Sequence, residues 1–247
     1  MGDIAELFAP GGWEFTSEVV AVFDDHVRAS VPHYDLMQQM VADLSDWLLP
    51  AGATYVDLGA STGTTAELLL RRHPDRRVTV WLYDEQAEML ERAARKLAPV
   101  LHSDTQLHLC VQRVEDPHAH WGADLTTALF TLQFLSPADR DLTLNRARQH
   151  SAPHGTLIVA EKIRPADSRW AEIAIDSSHD WKAQHGIDPA AIQAKARALR
   201  GVLRPRTEHE LHTEIADAGW RDPETLFRWH NWTVVAAYAA GGHDNAT

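Results

Sequence analysis

The sequence predicts an α/β protein in which helices cover both faces of a mainly parallel, doubly wound sheet. Three observations lead to this prediction. Short apolar runs alternate four or five times with helical segments, the first of these runs ends in a glycine-containing turn, and two further apolar runs close the chain. Regular alternation of strand and helix is typical of crossovers between parallel strands, whereas two strands joined by a short turn form an antiparallel pair.

The first 164 residues supply most of the predicted elements. An N-terminal helical cap, residues 1–50, contains two helical segments between 16 and 49 that break at Pro32. A core at residues 51–164 then alternates strands with helices, and turns that contain Gly or Pro separate several of them. Its predicted strands are 54–59, 77–84, 106–112, 125–134 and 155–162, and its predicted helices are 64–73, 85–98 and 136–150.

The regular alternation stops after the core. Two helical stretches form an insertion at residues 165–205, which we predict to be a lid over the site or an oligomer contact. Residues 206–240 add one helix and a closing pair of strands at the edge of the sheet, and residues 241–247 have the composition of a tail.

Charge and composition limit the classes of function. Thirty-five acidic residues against 23 basic ones give a formal charge of −12, which opposes binding to a phosphate backbone unless a basic patch overrides it. Helical spacing scatters the charges of the basic stretch at 195–206, so nucleic acid is not expected and a small-molecule partner is favoured. No apolar run reaches the roughly 18 residues that a membrane span needs, so no membrane partner is expected.

Cysteine content and the N-terminus indicate a compartment. The first fifteen residues lack the basic and apolar segments of a targeting signal, and the single cysteine, Cys110, lies in an apolar run typical of a buried thiol. We therefore expect a cytoplasmic protein. We also expect it to assemble as a homodimer or a hetero-oligomer. The HAH sequence at 118–120 is an isolated pair without metal-site spacing, so no metal is predicted.

The turn DLGASTG, residues 57–63, carries the strongest functional signal. Gly59 and Gly63 omit side chains so that backbone can approach a ligand, and the following helix offers its N–H groups and positive end to an anion. Asp84 closes the next strand, where a carboxylate can accept both hydroxyls of a ribose, and Glu85 follows it. This order of elements predicts a site for a nucleoside-containing cofactor.

The spacing G-x-S-x-G within the same turn also matches the nucleophile elbow of α/β-hydrolases, with Ser61 as the nucleophile. This alternative is less favoured, because an elbow follows several strands whereas this turn follows the first strand of its sheet. Hydrolase chemistry also leaves the acid at the start of the turn, Asp57, without a role.

These residues resemble a known family. DLGASTG with Asp84 resembles motif I and the ribose-binding acid of class I S-adenosylmethionine-dependent methyltransferases, which implies a Rossmann-like fold and S-adenosylmethionine as cofactor. A closer similarity, running nearly end to end, is to carboxy-S-adenosylmethionine synthases, enzymes of wobble-uridine modification that consume prephenate. The blocks that carry it are SVPHYD (30–35), FTLQFLSPADR (130–140), EK (161–162), HDWKAQHG (179–186) and HNW (230–232).

The resemblance assigns cofactor contacts to a tyrosine of the N-terminal cap, to the glycine turn and to the acid after the second strand. Together with the positions that the turn itself predicts, the cofactor-binding residues are Tyr34, Gly59, Ala60, Ser61, Gly63, Asp84 and Glu85.

Three positions depart from the family's pattern. The arginine that holds the extra carboxylate falls at Ala196, and the asparagine before FTLQFL is Leu129. The acid after the third strand, which receives the adenine amino group, falls near Gln112 or Arg113, and arginine cannot accept a hydrogen bond. Lys195 and Arg197 flank this position, and we expect either to replace the missing arginine only if the helix were rotated by about 100° per residue.

Methyl transfer requires in-line placement of nucleophile and sulfonium, with a base only when the nucleophile must lose a proton. The candidate catalytic residues are Tyr34, His179 and His230, and Trp229 and Trp232 are candidates for pocket walls. Three hypotheses remain open: a methyltransferase acting on a small molecule in specialised metabolism, the close family's own carboxylation chemistry, or a methyltransferase fold used for a cyclisation or elimination with a partner subunit.

Overall fold

The computed structural model describes residues 17–116 and 122–239, with side chains from residue 23 onward. The HAH pair at 118–120, the tail at 241–247 and the first part of the cap lie outside these ranges. The strands are β1 (Thr54–Leu58), β2 (Thr79–Asp84), β3 (Gln106–Val111), β4 (Ala123–Leu129), β5 (Ser151–Lys162), β6 (Trp220–Trp229) and β7 (Trp232–Ala239). The helices are α1 (Ser17–Ser30), α2 (Tyr34–Leu48), α3 (Thr64–Arg72), α4 (Ala87–Leu97), α5 (Pro137–Gln149), α6 (Ser168–Gln184), α7 (Pro189–Ala198) and α8 (Glu208–Asp217).

All seven strands belong to one sheet in the order β3-β2-β1-β4-β5-β7-β6. Strands β1 to β5 are parallel, and β7 runs antiparallel to both β5 and β6. The predicted doubly wound α/β sheet with an antiparallel closing pair is therefore confirmed. Chain order reverses between β1 and β4, and ligands of such sheets bind beyond the carboxyl ends of the strands at that point.

Neighbouring residues of the central strands pack against opposite layers. On β1, Tyr55 belongs to the core formed with α2, α3 and α4, whereas Val56 belongs to the core formed with α5 and α8. Both side chains are at most 1% exposed. A strand that is covered on both faces needs a continuous apolar run rather than an alternating one, as its sequence has.

Two of the sequence predictions are wrong in detail. The strand predicted for residues 125–134 ends at Leu129, because Phe130 has a φ of 61° and the chain then forms a short 3-10 helix at Leu132–Phe134. Cys110 is half-buried rather than buried, because β3 is an edge strand of the sheet. No helix within the described ranges is long and apolar enough to cross a membrane.

Arg140 on α5 is fully buried and joins three elements. Its guanidinium donates to Glu161 of β5 at 2.8 and 3.0 Å and to Glu214 of α8 at 2.7 and 3.0 Å. Arg206 pairs with Glu214 as well. Burial raises the pKa of the Glu161 carboxyl, although the charge and hydrogen bonds of Arg140 oppose this shift. The network fixes α5 and α8 against the sheet.

Candidate functional site

A cavity of about 1530 Å³ lies over the carboxyl ends of the central strands. The glycine turn after β1, the loop after β3 and the segment after β4 form its floor, and α1, α6 and α7 form its walls. The helical insertion at residues 165–205 therefore lines the cavity of its own chain. Pockets for drug-sized ligands are typically about 300–1,000 Å³, so this cavity has room for a nucleoside cofactor and a second molecule.

The glycine turn is fixed by hydrogen bonds to β2. The N–H groups of Gly59 and Ala60 donate to the carbonyl of Tyr83 at 2.8 and 2.9 Å. Gly59, Ser61 and Gly63 all have positive φ angles, of 81°, 50° and 74°. Left-handed backbone costs about 1–2 kcal/mol at a non-glycine residue, so Ser61 adopts this conformation only because its neighbours hold it there.

Asp84 is the residue that holds Ser61. One carboxylate oxygen of Asp84 accepts the Ser61 N–H at 2.9 Å, and the other accepts the Gln86 N–H at 2.9 Å. Burial, together with the charge of Glu85, raises the pKa of Asp84, while the two backbone hydrogen bonds oppose the shift. Asp84 and Glu85 both line the cavity, beside Gly59, Ala60 and Ser61. The structure therefore brings these predicted cofactor residues together.

Helix α1 is fastened to the same turn. Asp24 accepts hydrogen bonds from Thr62 at 2.5 Å and from Lys96 of α4 at 2.8 Å, and Lys96 also donates to Thr62 and Thr64 at 3.0 Å each. Burial raises the pKa of Asp24, but the bonds from Lys96 and Thr62 outweigh it, so the net pKa is lowered. An ionised, partly buried pair thus connects the wall of the cavity to its floor.

Three buried side-chain oxygens in the cavity lack hydrogen-bond partners within the described part of the chain, which bears on whether the cavity suits an adenosine cofactor. Gln38 Oε1, Asp57 Oδ2 and Glu115 Oε2 are buried and have no hydrogen-bond partner among the described residues, and all three residues line the cavity. Asp57 has its pKa raised to about 6 by burial, and its other oxygen accepts from Thr127 at 2.8 Å. Acceptors left without donors fit a ligand rich in hydroxyl and amino groups, as S-adenosylmethionine is.

The predicted catalytic residues separate into two places. Tyr34 and His179 line the cavity, whereas His230 is exposed on the turn between β6 and β7 and is not among the lining residues. Burial raises the pKa of Tyr34, so its hydroxyl stays protonated and serves as a donor. Burial and the charges of two lysines lower the pKa of His179, which leaves a neutral imidazole at neutral pH. Trp232 lines the cavity, whereas Trp229 does not.

Lys195 and Ala196 both line the cavity without any rotation of α7, because the chain there passes along the wall, whereas Arg197 is not among the lining residues. The Lys195 amine lies 2.5 Å from His26 Nε2 and 3.2 Å from Ser30 Oγ, both on α1. Burial and the charges of Lys195 and Lys182 lower the pKa of His26 to about 3, so this imidazole is neutral and accepts from Lys195.

Three lysines share this side of the cavity. Lys162 ends β5, Lys182 lies on α6 and Lys195 lies on α7. Burial lowers the pKa of all three amines. The charge of Lys162 adds to this shift for Lys182, whose pKa is about 8, and the charges of Lys182 and Lys162 add to it for Lys195, whose pKa is about 7. Sequence reasoning missed this cluster, although Lys162 and Lys182 stand in two of the shared blocks, because three separate elements bring the amines together.

The remaining alternatives concern a hydrolase nucleophile and a metal. Ser61 Oγ contacts Met89 Sδ at 3.5 Å, and no histidine is among its described partners, so the nucleophile elbow lacks a base. Arg113, which falls near the family's adenine-binding acid, is paired with Glu115. Within residues 17–116 and 122–239 no group of His, Cys, Asp and Glu has the arrangement of a metal site.

Replacing Asp84 with alanine is expected to weaken binding of S-adenosylhomocysteine about 100-fold. The substitution removes a buried charged acceptor and frees the Ser61 N–H, and each hydrogen bond to a charged group contributes about 1.5–3 kcal/mol, with 1.4 kcal/mol equal to tenfold in affinity. Calorimetric titration measures the change, with the exposed Asp104→Ala as a matched control. Equal affinity in Asp84→Ala and wild type would exclude Asp84 from the site.

Comparisons with known proteins agree with this geometry. A family model described as "Methyltransferase domain" matches residues 56–157. The carboxy-S-adenosyl-L-methionine synthase of Shewanella amazonensis is 31% identical over 92% of this chain and 93% of its own length. The enzyme of the same name from Trichodesmium erythraeum is 32% identical over 94% of this chain and 92% of its own length.

Solved structures show the same fold at low identity. A SAM dependent methyltransferase from Aquifex aeolicus superposes with a TM-score of 0.60 at 18% identity, covering 92% of this chain and 100% of that protein. An O-methyltransferase family protein from Burkholderia thailandensis gives a TM-score of 0.62 at 15% identity, covering 98% of this chain and 64% of that protein.

Proposed function

The chain belongs to the carboxy-S-adenosyl-L-methionine synthase family and is an enzyme that binds S-adenosylmethionine, and we propose that its reaction transfers a carboxylate from prephenate to the methyl carbon of the sulfonium. The observation that carries the proposal is the lysine cluster formed by Lys162, Lys182 and Lys195. The product of such a reaction has one more negative charge than S-adenosylmethionine, and the cavity must supply a cation to hold it.

Two of the lysines need a ligand to balance their charge. Lys162 and Lys182 form no ion pair with a carboxylate of the described residues, and burial lowers the pKa of both amines. Burying like charges together costs free energy unless an opposite charge compensates it. A carboxylate or dicarboxylate ligand supplies that charge, which favours an anionic substrate or product in this part of the cavity.

Lys195 supports the proposal at the position where the family's arginine is missing. Its amine reaches the cavity from the residue next to Ala196 and is held by the neutral His26 and by Ser30. A lysine offers a point charge rather than a bidentate fork, so it holds a carboxylate less rigidly than arginine does. We infer that lysines take over the carboxylate contact that Ala196 cannot make.

S-adenosylmethionine, when bound, would supply the methyl carbon at which the new carbon–carbon bond forms. Prephenate would give up its ring carboxylate to that carbon, and its ring hydroxyl would leave as water with the proton lost by the methyl group. The glycine turn and Asp84 would hold the nucleoside, the lysines would orient the carboxylated molecule, and α1, α6 and α7 would reduce the access of water. His179 lies in the same cavity as a neutral imidazole and is available to accept a proton. His230 is not among the residues that line this cavity.

Mass spectrometry of the reaction products tests the proposed activity. The purified enzyme is incubated with S-adenosylmethionine and prephenate, and the small molecules released by denaturation are compared before and after incubation. We expect an adenosyl sulfonium that is heavier than S-adenosylmethionine by one carbon dioxide unit. Bound S-adenosylmethionine that stays unchanged, with prephenate also unchanged, would contradict the proposal.

Lys182→Met is expected to weaken binding of prephenate to the S-adenosylhomocysteine complex about 10- to 100-fold, because a hydrogen bond to a charged group contributes about 1.5–3 kcal/mol. The affinity of the wild type should also fall as the pH rises from about 6.5 to 9, since Lys195 and Lys182 lose their protons near 7 and 8. Calorimetry measures both effects. Arg197→Met, which removes an exposed cation from α7, is the control.

A second candidate is methyl transfer to a small molecule that carries a carboxylate, in specialised metabolism. The small side chain of Ala196 favours it, because the cavity is wider at this position than an arginine would leave it. A methylated acceptor and free S-adenosylhomocysteine, with no carboxylated sulfonium, would support this candidate over the first. Location in the cytoplasm and assembly as a homodimer or hetero-oligomer stay predictions.

A further inference from the structure

The first residue of β7, Trp232, carries a buried hydrogen-bond donor that has no described partner in the protein. Trp232 is 5% exposed and lines the cavity, and its indole Nε1 has no hydrogen-bond partner among the described residues. An indole N–H can only donate, and a buried tryptophan usually finds an acceptor for it. The open donor therefore indicates a ligand that brings an acceptor into this part of the cavity.

A second tryptophan of the same sheet shows the usual arrangement. Trp220, at the start of β6, is 2% exposed, and its Nε1 donates to the Leu144 carbonyl at 3.2 Å. Trp220 is not among the residues that line the cavity. The two side chains are buried to a similar extent, so burial alone does not explain why the indole beside the cavity is left without an acceptor.

The register of the sheet places a cation next to the open donor. Lys162, at the end of β5, is directly opposite Trp232 in the antiparallel pair of β5 and β7. Opposite residues of such a pair have side chains on the same face, with Cβ atoms about 4.5–5.5 Å apart. Both side chains line the cavity, and burial alone shifts the pKa of the Lys162 amine. An ammonium and an indole N–H are thus neighbours on one wall.

Neighbouring residues fix the positions of both groups. Gln133 Oε1 accepts the backbone N–H of Lys162 at 2.8 Å, which holds the end of β5. The ring of Phe130 packs edge-on against Trp232, with 5.8 Å between the ring centroids. The indole is therefore held by the protein before a ligand arrives, which reduces the entropy that binding must cost.

Two adjacent donors without an acceptor between them suit the two oxygens of a carboxylate, and a hydrogen bond that involves an ion is stronger than a neutral one. Lys195, beside Ala196, is already assigned to the carboxylate that is transferred. We propose that Trp232 Nε1 and Lys162 bind the other carboxylate of the substrate, the one that is not transferred, and so select a substrate with two carboxylates. This inference rests on the proposed function.

Phenylpyruvate is the probe, because it is what remains of prephenate after loss of the ring carboxylate and hydroxyl, and it keeps the second carboxylate. Calorimetry measures its affinity for the S-adenosylhomocysteine complex. Trp232→Phe keeps an aromatic ring but removes the donor, and we expect about 10-fold weaker binding, equivalent to about 1.4 kcal/mol. The affinities for uncharged ethyl phenylpyruvate and for S-adenosylhomocysteine should change less than twofold. Trp220→Phe, the matched control, should leave all three affinities unchanged.

Lys162→Met tests the same site from its other side and should also reduce the preference for the acid over the ester about 10-fold or more. It decides the question if Trp232→Phe does not fold. Equal losses for the acid and the ester in Trp232→Phe would show that the ring acts only by packing and would overturn the proposal. Unchanged affinity for phenylpyruvate in both variants would overturn it as well.

The two proposals fail in different ways. If no carboxylated sulfonium forms but phenylpyruvate binding still depends on Trp232 and Lys162, the proposed reaction is wrong and the carboxylate site stands. If the carboxylated sulfonium forms while neither substitution alters the affinity for phenylpyruvate, the carboxylate site is wrong and the reaction stands.

Discussion

Arg140→Met is expected to lower the free energy of unfolding by about 3–5 kcal/mol, the range found when one partner of a buried ion pair is removed. Methionine fills much of the volume but leaves Glu161 without its two described hydrogen bonds in a site that is 0% exposed. Glu214 keeps Arg206 as a partner. The loss should therefore come chiefly from Glu161.

The size of this loss should depend on pH. Burial already raises the pKa of Glu161 above its ordinary value, and removing Arg140 takes away the largest opposing contribution, so the pKa rises further in the variant. A group whose folded pKa is raised contributes stability below the unfolded pKa and loses it as the pH rises through the folded pKa. The difference between wild type and variant should be smallest near pH 5 and grow toward pH 8.

Chemical denaturation at several pH values measures this difference. Arg164→Met is the control, because Arg164 pairs with Glu210 at the surface, where an exposed ion pair contributes at most about 1 kcal/mol. A variant Arg140→Met that unfolds at the same denaturant concentration as Arg164→Met would show that the buried network adds no stability of its own.

Gly59→Ala is expected to lower the free energy of unfolding by about 3 kcal/mol and to abolish measurable binding of S-adenosylhomocysteine. An added Cβ would lie 2.2 Å from Thr131 Oγ1, which itself donates to the Leu58 carbonyl at 2.9 Å. The positive φ of 81° costs about 1–2 kcal/mol for a residue with a Cβ, and overpacking adds about 1–3 kcal/mol.

Gly52→Ala separates these two costs. Gly52 has a similar φ of 84°, but a Cβ added there meets nothing within 4 Å. Its substitution should cost about 1–2 kcal/mol, from backbone strain alone, and leave cofactor binding unchanged. If Gly59→Ala and Gly52→Ala showed the same stability and the same affinity, the contact between Gly59 and Thr131 would have no part in shaping the site.

The parts of the site that lie close together in the sequence could be predicted from it. Gly59 and Asp84 belong to one strand-turn-helix-strand unit, so local pattern alone placed them at the carboxyl edge of the sheet. Alternation of apolar runs likewise predicted the sheet, but it could not show that Phe130 turns the chain to positive φ, because a bulky residue is seldom found there.

The lysine cluster and the burial of Glu115 could not be predicted in this way. Lys162 and Lys182 come from a strand and from a helix of the insertion, and no periodicity relates the two positions. Glu115 differs from other loop acids only in its burial and in the pairing of one oxygen with Arg113, which are properties of the folded chain. Both features depend on tertiary contacts that local pattern does not encode.

Asp24 of α1 accepts hydrogen bonds from Thr62 of the glycine turn and from Lys96 of α4. Because of this connection, the stability of the packing of α1 and the affinity for the cofactor should depend on each other. Thr62 belongs to the turn to which we assign the nucleoside, so a cofactor that steadies the turn should also steady α1, and by linkage a well-packed α1 should raise cofactor affinity by the same factor. Protection of α1 amides against hydrogen exchange would then report occupancy of a site that this helix closes from one side.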